Sequence, residues 1–183
     1  KKIEEKITSR TRAILVVHLF GQPARMDEIL AIAKKYNLAI VEDCAQAPGA
    51  LYKKQFVGTL GDIGVFSLNQ HKTITTGEGG FAITKDQKLA VRLQLVRNHG
   101  EVVVDHLKVD FDPGPVLGFN YRITELEAAV GIAQFRKLNF LSKHRIKLAE
   151  YLIHEMYKFQ GISVPYSLPR SAHDYFMIPM KVA

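Results

Sequence analysis

Two continuous apolar runs with a helical pattern between them constrain the fold of this chain more than any other feature. The runs are residues 12–17 (RAILVV) and 38–43 (LAIVED), which are typical of strands covered on both faces of a parallel sheet. The apolar residues between them recur at helical spacing: Met26, Ile29, Leu30, Ala33 and Tyr36. Asn37 follows this pattern and is predicted to end the helix. The opening of the chain therefore predicts a βαβ unit that places Asp43 at the carboxyl end of a strand.

Short strands and tight turns are predicted after Asp43. Residues 51–56 have a hairpin-like pattern, and residues 63–68 and 80–84 are predicted to form two further strands bounded by glycines. Residues 84–87 (TKDQ) fit a capping box that opens a helix. Residues 124–127 (TELE) fit a second box at the head of a long helical region. This succession of elements predicts an α/β protein.

The connection at residues 100–115 and the end of the chain have less regular patterns. Residues 100–115 have no clear period and exceed most connections in length, which indicates either a functional or a mobile loop. Beyond Gly161, Pro165 and Pro169 interrupt any helix, and residues 175–182 look extended. We therefore expect a domain boundary in the region of residues 145–165.

Composition places the chain among globular proteins and excludes several kinds of site. The 183 residues are 47% hydrophobic and 23% charged, and no apolar run approaches the roughly 20 residues needed to cross a bilayer. Because the start is polar and has no signal-peptide pattern, the protein is expected in the cytoplasm. Its one cysteine excludes an intrachain disulfide framework and a zinc site made of several thiols. The net charge is +7, but the basic residues are scattered along the chain and form no basic run. A phosphate-bearing small molecule is therefore a better match for this charge than nucleic acid.

Lys72 and Asp43 are the candidate site residues that the local sequence offers. Asp43 is predicted to lie where the ligands of open α/β sheets gather, outside the carboxyl ends of the strands. Lys72 follows the strand at residues 63–68 and precedes the glycine-rich residues 77–80, which let the backbone turn close to a bound group. A lysine that forms an imine must be held in place and partly desolvated. The same patterns also fit a solvated lysine and a capping aspartate, so both interpretations stay open at this level.

The histidines do not indicate a stronger site. His18 and His71 are candidates for a general base, but each is equally compatible with a packing or hydrogen-bonding role. His99, Asp105 and His106 lack the spacing that would place metal ligands on one face. No metal site is therefore predicted.

A series of short sequence motifs in a fixed order is more informative about the protein than any single residue. Residues 41–47 (VEDCAQA) are followed by residues 61–67 (GDIGVFS), and then by His71 and Lys72 with residues 75–80 (TTGEGG). Residues 97–100 (RNHG) and 118–122 (GFNYR) with Glu125 complete the series. In this order the blocks resemble the signature blocks of the DegT/DnrJ/EryC1/StrS aminotransferases, and the resemblance runs from about residue 14 to residue 173.

The resemblance implies a fold and a division of the chain. Members of that family have the aspartate-aminotransferase-like fold, fold type I, whose large domain is a three-layer αβα structure with a mostly parallel sheet. Residues 1–145 are then part of the large cofactor-binding domain, and residues 146–183 are a connecting helix and the beginning of the small carboxyl-terminal domain. Complete members are longer, so the sequence is expected to be a fragment.

The resemblance also implies pyridoxal 5'-phosphate as the cofactor and assigns residues to it. Lys72 matches the lysine that holds the cofactor as a Schiff base and shuttles a proton between the substrate carbon and the cofactor. Asp43 matches the acid that pairs with the protonated pyridine nitrogen, which keeps the ring an electron sink. Gln46 matches a residue near the ring face or its hydroxyl, and Ser67 matches a hydroxyl that binds the cofactor phosphate.

A further match implies a homodimer with shared active sites. Asn120 resembles an asparagine that reaches the phosphate of the neighbouring subunit's cofactor. Arg122 lies close enough in the sequence to be the alternative contact. The partners implied are thus a second copy of the chain and small molecules, with neither nucleic acid nor a membrane involved.

The reaction implied by the family is a transamination in two half-reactions. An amino donor, usually glutamate, loads the cofactor, and a keto-sugar, commonly nucleotide-linked, or a cyclitol then takes the amino group. Some relatives are sugar dehydratases with histidine at the lysine position, but here Lys72 occupies that position. A regulatory or assembly protein that keeps the fold without catalysis is another alternative. A nucleotide-dependent oxidoreductase is disfavoured, because residues 18–23 contain a single glycine.

Overall fold

A computed structural model describes residues 2–101 and 115–183 of the chain. The predicted connection at residues 100–115 lies outside the described residues except at its two ends. In chain order the strands are β1 (Ala13–Val17), β2 (Ala39–Asp43), β3 (Leu51–Tyr52), β4 (Gln55–Phe56), β5 (Ile63–Ser67), β6 (Gly80–Ile83), β7 (Ile162–Ser163), β8 (Ser171–Ala172) and β9 (Lys181–Val182). The helices are α1 (Met26–Tyr36), α2 (Gln87–Arg97), α3 (Glu125–Phe135) and α4 (Leu138–Met156), with short 3-10 turns at Glu4–Lys6 and Leu19–Gly21.

The main sheet has the order β1-β2-β5-β6. Strands β1, β2 and β5 are parallel, and β6 is an antiparallel edge strand. The predicted βαβ unit is confirmed, since α1 connects β1 to β2 and Val17 pairs in register with Asp43. Because three neighbouring strands are parallel, their carboxyl ends meet at one edge of the sheet.

Helix α1 forms the first part of the core with the strands that it connects. Its apolar residues pack with Val16 of β1 and Ile40 of β2 in a cluster completed by Met26, Ile29 and Ala33. Asn37 ends the helix as predicted, in a left-handed conformation with φ 51°, and its amide bonds back to the carbonyls of Ala33 and Lys34. The amphipathic pattern and its stop signal were therefore sufficient to define this helix.

The two predicted capping boxes have different outcomes. The box at Thr124 and Glu127 is confirmed, with both reciprocal hydrogen bonds present. The box at Thr84 is wrong, because the residue that caps α2 is Asp86, whose carboxylate accepts from the amides of Lys88 and Leu89. The hydroxyl of Thr84 instead donates to the carbonyl of Asp62, 2.7 Å away, which ties the start of this connection to the sheet.

The helical region after Thr124 is two helices rather than one. It breaks between α3 and α4, which begin at Glu125 and Leu138. The predicted domain division at residue 145 lies within α4, and it stays a prediction. None of the helices among residues 2–101 and 115–183 has the length and apolar character needed to span a bilayer.

The end of the chain returns to the first half of the molecule. The predicted hairpin is confirmed as the antiparallel pair β3 and β4, and β8 pairs with β3 to make a three-stranded sheet. The amide of Asp174 then donates to the carbonyl of Gly21, 2.9 Å away, and the amide of Met177 donates to the carbonyl of Phe20, 3.3 Å away. The residues after β8 thus lie against the turn that follows β1.

Candidate active site

The carboxyl ends of β2 and β5 bring two of the predicted site residues to one edge of the sheet. Asp43 is the last residue of β2 and pairs in register with Val65, two residues before Ser67 at the end of β5. One carboxylate oxygen of Asp43, Oδ1, accepts from the amide of Ala45 at 2.9 Å. Among the described residues the other oxygen, Oδ2, has no hydrogen-bond partner. This acid is therefore anchored and still able to bind a further donor.

Lys72 lies in a turn that is fastened to the end of β5. Its amide donates to the carbonyl of Asn69 at 2.9 Å, and the turn closes where the amide of Thr76 donates to the carbonyl of Leu68 at 3.0 Å. The side chain is partly buried, and Nζ lies 5.0 Å from the centre of the Phe176 ring. No carboxylate within the described parts of the chain pairs with this ammonium group. The lysine is thus partly desolvated and has no ion-pair partner among the described residues, which suits an amine that forms an imine.

Phe176 is a site residue that the sequence did not reveal. Its segment approaches the turn after β1 so closely that a Cβ on Gly21 would lie 2.8 Å from the amide nitrogen of Tyr175. Gly21 also has φ +94°, which other residues rarely adopt. Only the single glycine in residues 18–23 signals this approach, and nothing local to Phe176 links it to Lys72.

Gln46 joins the end of β2 to the same turn. Its side-chain oxygen accepts from the amide of Phe20 at 2.6 Å. Phe20 has a left-handed backbone with φ 59°, so this hydrogen bond supports an uncommon conformation. Within the described residues the amide nitrogen of Gln46 makes no hydrogen bond, and it can still donate to a ligand.

Ser67 and Asn120 have different surroundings. The hydroxyl oxygen of Ser67 accepts from the amide of Asn69 at 3.3 Å, which leaves its O–H group able to donate. Asn120 is exposed and forms a β-bridge with Asn98. The guanidinium of Arg122 donates to Oδ1 of Asn98 at 2.6 Å. The structure therefore brings Asp43, Ser67 and Lys72 to one sheet edge, and it shows no contact of Asn120 with them.

His18 and Glu42 form a buried hydrogen-bond cluster beneath this edge. Both side chains are fully buried, and Nε2 of His18 lies 2.9 Å from Oε2 of Glu42. Since Nδ1 of His18 accepts from the amide of Ala24, Nε2 carries the hydrogen that is donated to Glu42. Both ring nitrogens are engaged, so the general-base role considered for His18 is not supported. This histidine positions backbone instead.

The same cluster offers ligand types that bind metals, yet its atoms are already committed. His18, Glu42 and Cys44 place one ligand atom each within 4.8 Å of one another. The Glu42 carboxylate accepts from His18 and from the amides of Gly58, Leu60 and Gly61. Burial raises the pKa of the Cys44 thiol, with the nearby carboxylates adding to the effect, so the thiol stays protonated. We interpret the cluster as structural.

Hydrogen bonds keep the buried Glu42 ionised. Burial alone raises the pKa of this carboxyl, but the hydrogen bonds from His18 and from three backbone amides outweigh it and hold the pKa below its usual value. Glu42 is thus a buried carboxylate stabilised by its donors rather than by a formal countercharge.

The family of the chain is identified by its match to a single family model. The model covers residues 1–183, the full length of the sequence, and is described as the DegT/DnrJ/EryC1/StrS aminotransferase family. The chain belongs to this family. The resemblance that the sequence blocks indicated is therefore confirmed, and DegT/DnrJ/EryC1/StrS relatives are the appropriate comparison for its site.

Two curated relatives illustrate the similarity. GDP-perosamine synthase of Escherichia coli O157:H7 is 46% identical over 144 residues, which are 78% of this chain and 38% of the relative. The dTDP-3-amino-3,6-dideoxy-alpha-D-galactopyranose transaminase of Aneurinibacillus thermoaerophilus is 42% identical over 182 residues, which are 99% of this chain and 48% of the relative. The chain thus spans less than half the length of either relative.

A solved structure confirms the fold. The crystal structure of S. venezuelae DesV in complex with a ketimine intermediate matches with a TM-score of 0.88 and 32% identity, over 98% of this chain and 47% of that one. Together with the mostly parallel main sheet, this match confirms the predicted aspartate-aminotransferase-like fold.

Proposed function

We propose that this chain carries the cofactor-binding centre of a pyridoxal-phosphate-dependent aminotransferase that acts on a nucleotide-linked keto-sugar, with glutamate as the amino donor. The observation that carries the proposal is the uncommitted amine of Lys72 in the turn after β5, next to the strand that ends at Asp43. Family membership supports the transamination. The names of two relatives, which refer to GDP-linked and dTDP-linked sugars, support the substrate class.

The residues at the sheet edge fit the chemical demands of pyridoxal phosphate. The cofactor needs an amine for its aldehyde, an acid for its ring nitrogen and donors for its phosphate. Lys72, Asp43 and Ser67 are of these types, and each keeps at least one atom uncommitted among the described residues. When bound, the cofactor supplies the electron sink of the reaction.

Lys72 has two functions in this proposal. Its Nζ attaches the cofactor covalently, and once released by the substrate it moves a proton at the reacting carbon. The contact with the Phe176 ring holds the ammonium group by a cation–π interaction worth about 0.5–2 kcal/mol. This interaction favours one location for the amine.

Asp43 and Gln46 orient the ring in this proposal. The free oxygen of Asp43 would accept a hydrogen bond from the protonated ring nitrogen and so keep that nitrogen charged, while the other oxygen of Asp43 is fixed by the amide of Ala45. The side-chain amide nitrogen of Gln46 is available for the ring hydroxyl, because the oxygen of that amide is held by Phe20. The hydroxyl of Ser67 donates to the phosphate.

The experiment that tests the function measures both halves of the reaction. The protein is loaded with pyridoxal phosphate and supplied with glutamate and either GDP-linked or dTDP-linked keto-sugars or a keto-cyclitol. We expect 2-oxoglutarate and an amino-sugar nucleotide, each measured by mass spectrometry. Loss of a sugar hydroxyl without gain of an amine would instead indicate a dehydratase. Cofactor binding without 2-oxoglutarate from any donor would indicate a protein that keeps the fold without catalysis.

Replacing Asp43 with asparagine tests the ring-nitrogen assignment. We expect Asp43→Asn to lower the transamination rate by about 10²–10³-fold, because an uncharged amide cannot stabilise the protonated ring nitrogen. Covalent capture of pyridoxal phosphate at Lys72, measured after borohydride reduction, should persist. The matched control is Asp86→Asn, since asparagine also caps a helix well. An unchanged rate in Asp43→Asn would remove this acid from the mechanism.

We further propose that the protein is a homodimer whose active sites are shared. Large apolar side chains are exposed along α3 and the segment before it: Leu117, Phe119, Tyr121, Leu126, Val130, Ile132 and Phe135. A patch of this kind marks an interaction surface. Asn120 lies within it, which suits contact with the cofactor phosphate of a second copy. Sedimentation should show a dimer for the parent protein, and Leu126→Asp combined with Val130→Asp should shift it towards the monomer and lower activity.

A further inference from the structure

A side chain of α4 donates a hydrogen bond to the turn that carries Lys72. The guanidinium of Arg145, on α4, donates to the hydroxyl of Thr73 at 2.6 Å. Thr73 follows Lys72 directly and is buried, with 8% of its surface exposed. The other hydrogen bonds of residues 70–75 come from residues 68–77, the turn itself and its immediate ends. Within the described residues, Arg145 therefore supplies the one hydrogen bond that reaches residues 70–75 from another element.

The same face of α4 also reaches the segment that covers Lys72. Ser142 precedes Arg145 by three residues and so lies on the same side of the helix. A Cβ built on Gly49 would lie 2.7 Å from Oγ of Ser142 and 2.9 Å from Oδ1 of Asp174, so these two buried side chains meet at this glycine. The amide of Gly49 donates to the other oxygen of Asp174 at 3.1 Å. Ser142 of α4 and Asp174, which lies two residues before Phe176, therefore both lie close to Gly49.

We propose that Arg145 is a positioning residue for Lys72. Its charge-assisted hydrogen bond fixes Thr73, and through the backbone it fixes the direction in which the neighbouring lysine leaves the turn. Ser142 of the same helix lies near Gly49, whose amide holds Asp174 two residues before the Phe176 ring against which the amine lies. This inference rests on the proposed function, because it concerns the lysine that holds the cofactor there. Arg145 itself makes no contact with the amine in the structure.

Two variants remove the tether in different ways, and the first readout needs no cofactor. In Arg145→Gln and in the isosteric Thr73→Val, we expect Lys72 to be acetylated faster by a small amine-reactive acylating reagent. The acetylation rate is measured by peptide mass spectrometry. The released turn exposes the amine, whereas the acetylation rates of other lysines stay as in the parent. Capture of pyridoxal phosphate by Lys72 on borohydride reduction should fall by about 10–100-fold, since small displacements of a reacting group have effects of this size.

Control variants separate positioning from general stability. Arg136→Gln removes an exposed arginine at the end of α3 and should leave both readouts unchanged. Thr73→Ser keeps the acceptor hydroxyl and should restore the parent behaviour, which a loss of packing alone would not predict. The double variant Arg145→Gln with Thr73→Val should be no worse than either single variant, because the two residues share one interaction.

The outcomes distinguish this inference from the proposed function. Parent-like acetylation and capture in both Arg145→Gln and Thr73→Val would overturn the positioning role. If Arg145→Gln fails to fold by circular dichroism, Thr73→Val against Thr73→Ser decides the question alone. If the parent itself captures no pyridoxal phosphate at Lys72, the proposed function fails, while the acetylation comparison still tests whether Arg145 positions the amine.

Discussion

Replacing Lys72 with alanine is expected to abolish covalent capture of pyridoxal phosphate and to lower the transamination rate by about 10³-fold or more. The amine both attaches the cofactor and moves the proton at the reacting carbon, and no other lysine is shown at this edge of the sheet among the described residues. Capture is measured by borohydride reduction and peptide mass spectrometry, and the rate by formation of 2-oxoglutarate from glutamate.

The control for this substitution is an exposed lysine of α1. Lys34 lies in the last turn of α1, just before β2 begins, whereas Asp43 lies where β2 ends. Lys34→Ala should therefore leave both the capture of the cofactor and the transamination rate at parent levels. Undiminished capture of the cofactor by Lys72→Ala would contradict the assignment, because another amine would then have to be the attachment point.

Replacing Glu42 with alanine is expected to destabilise the protein by about 3–5 kcal/mol, a large share of the roughly 5–15 kcal/mol that typical domains have. The carboxylate is fully buried and accepts hydrogen bonds from His18 and from the amides of Gly58, Leu60 and Gly61 at 2.6–2.9 Å. Alanine leaves all four donors without this partner, and two of them, on His18 and Gly58, are buried away from water. The midpoint of urea unfolding, followed by circular dichroism, measures the loss.

Two further variants test this explanation. Glu42→Gln keeps an acceptor oxygen and should lose less stability than Glu42→Ala. Glu28→Ala removes a solvent-exposed carboxylate of α1, whose surface pair with Arg25 is worth little, and should leave the midpoint nearly unchanged. Equal midpoints for Glu42→Ala and the parent would show that water or a rearranged backbone satisfies the four donors.

Two buried groups, Glu42 and His173, make the stability of the protein depend on pH. The pKa of Glu42 is lower in the folded state than its usual value, so its contribution is present above pH 4.5 and is lost as the pH falls through the folded pKa. Burial lowers the pKa of His173 from 6.5 to about 4, so protonation favours the unfolded chain increasingly from pH 6.5 down to 4. Both effects have the same sign. Together they lower stability as the pH falls below neutral, whereas burial raises the pKa of Asp174, whose protonation has the opposite effect.

Local patterns predicted the βαβ unit because apolar runs favour strands and the helical spacing of residues 26–36 records which face of α1 is buried. The runs at residues 12–17 and 38–43 form the neighbouring parallel strands β1 and β2, and the left-handed Asn37 ends α1 where predicted. The expectation that both strands are covered on both faces is wrong for β1, which lies at the edge of the described sheet with Leu15 and Val17 exposed. The capping box at Thr84 was predicted wrongly because α2 begins later than predicted, and Asp86, two residues further on, accepts from the amides of Lys88 and Leu89. Both residue types cap helices well, so sequence alone does not choose between them.

What the sequence determined by itself was the order of the strands and helices as far as α2 and the family, and it offered residues of the chemical types that a cofactor needs. Its spacing placed Asp43 and Ser67 at the ends of two strands. Only the tertiary structure decided that Phe176 lies over Lys72, that Arg145 holds Thr73, and that the acceptor oxygens of Glu42 are all occupied. The physical reason is that these contacts join residues distant in the chain. Periodicity reports which face of an element is buried, whereas a partner from another element is selected by packing.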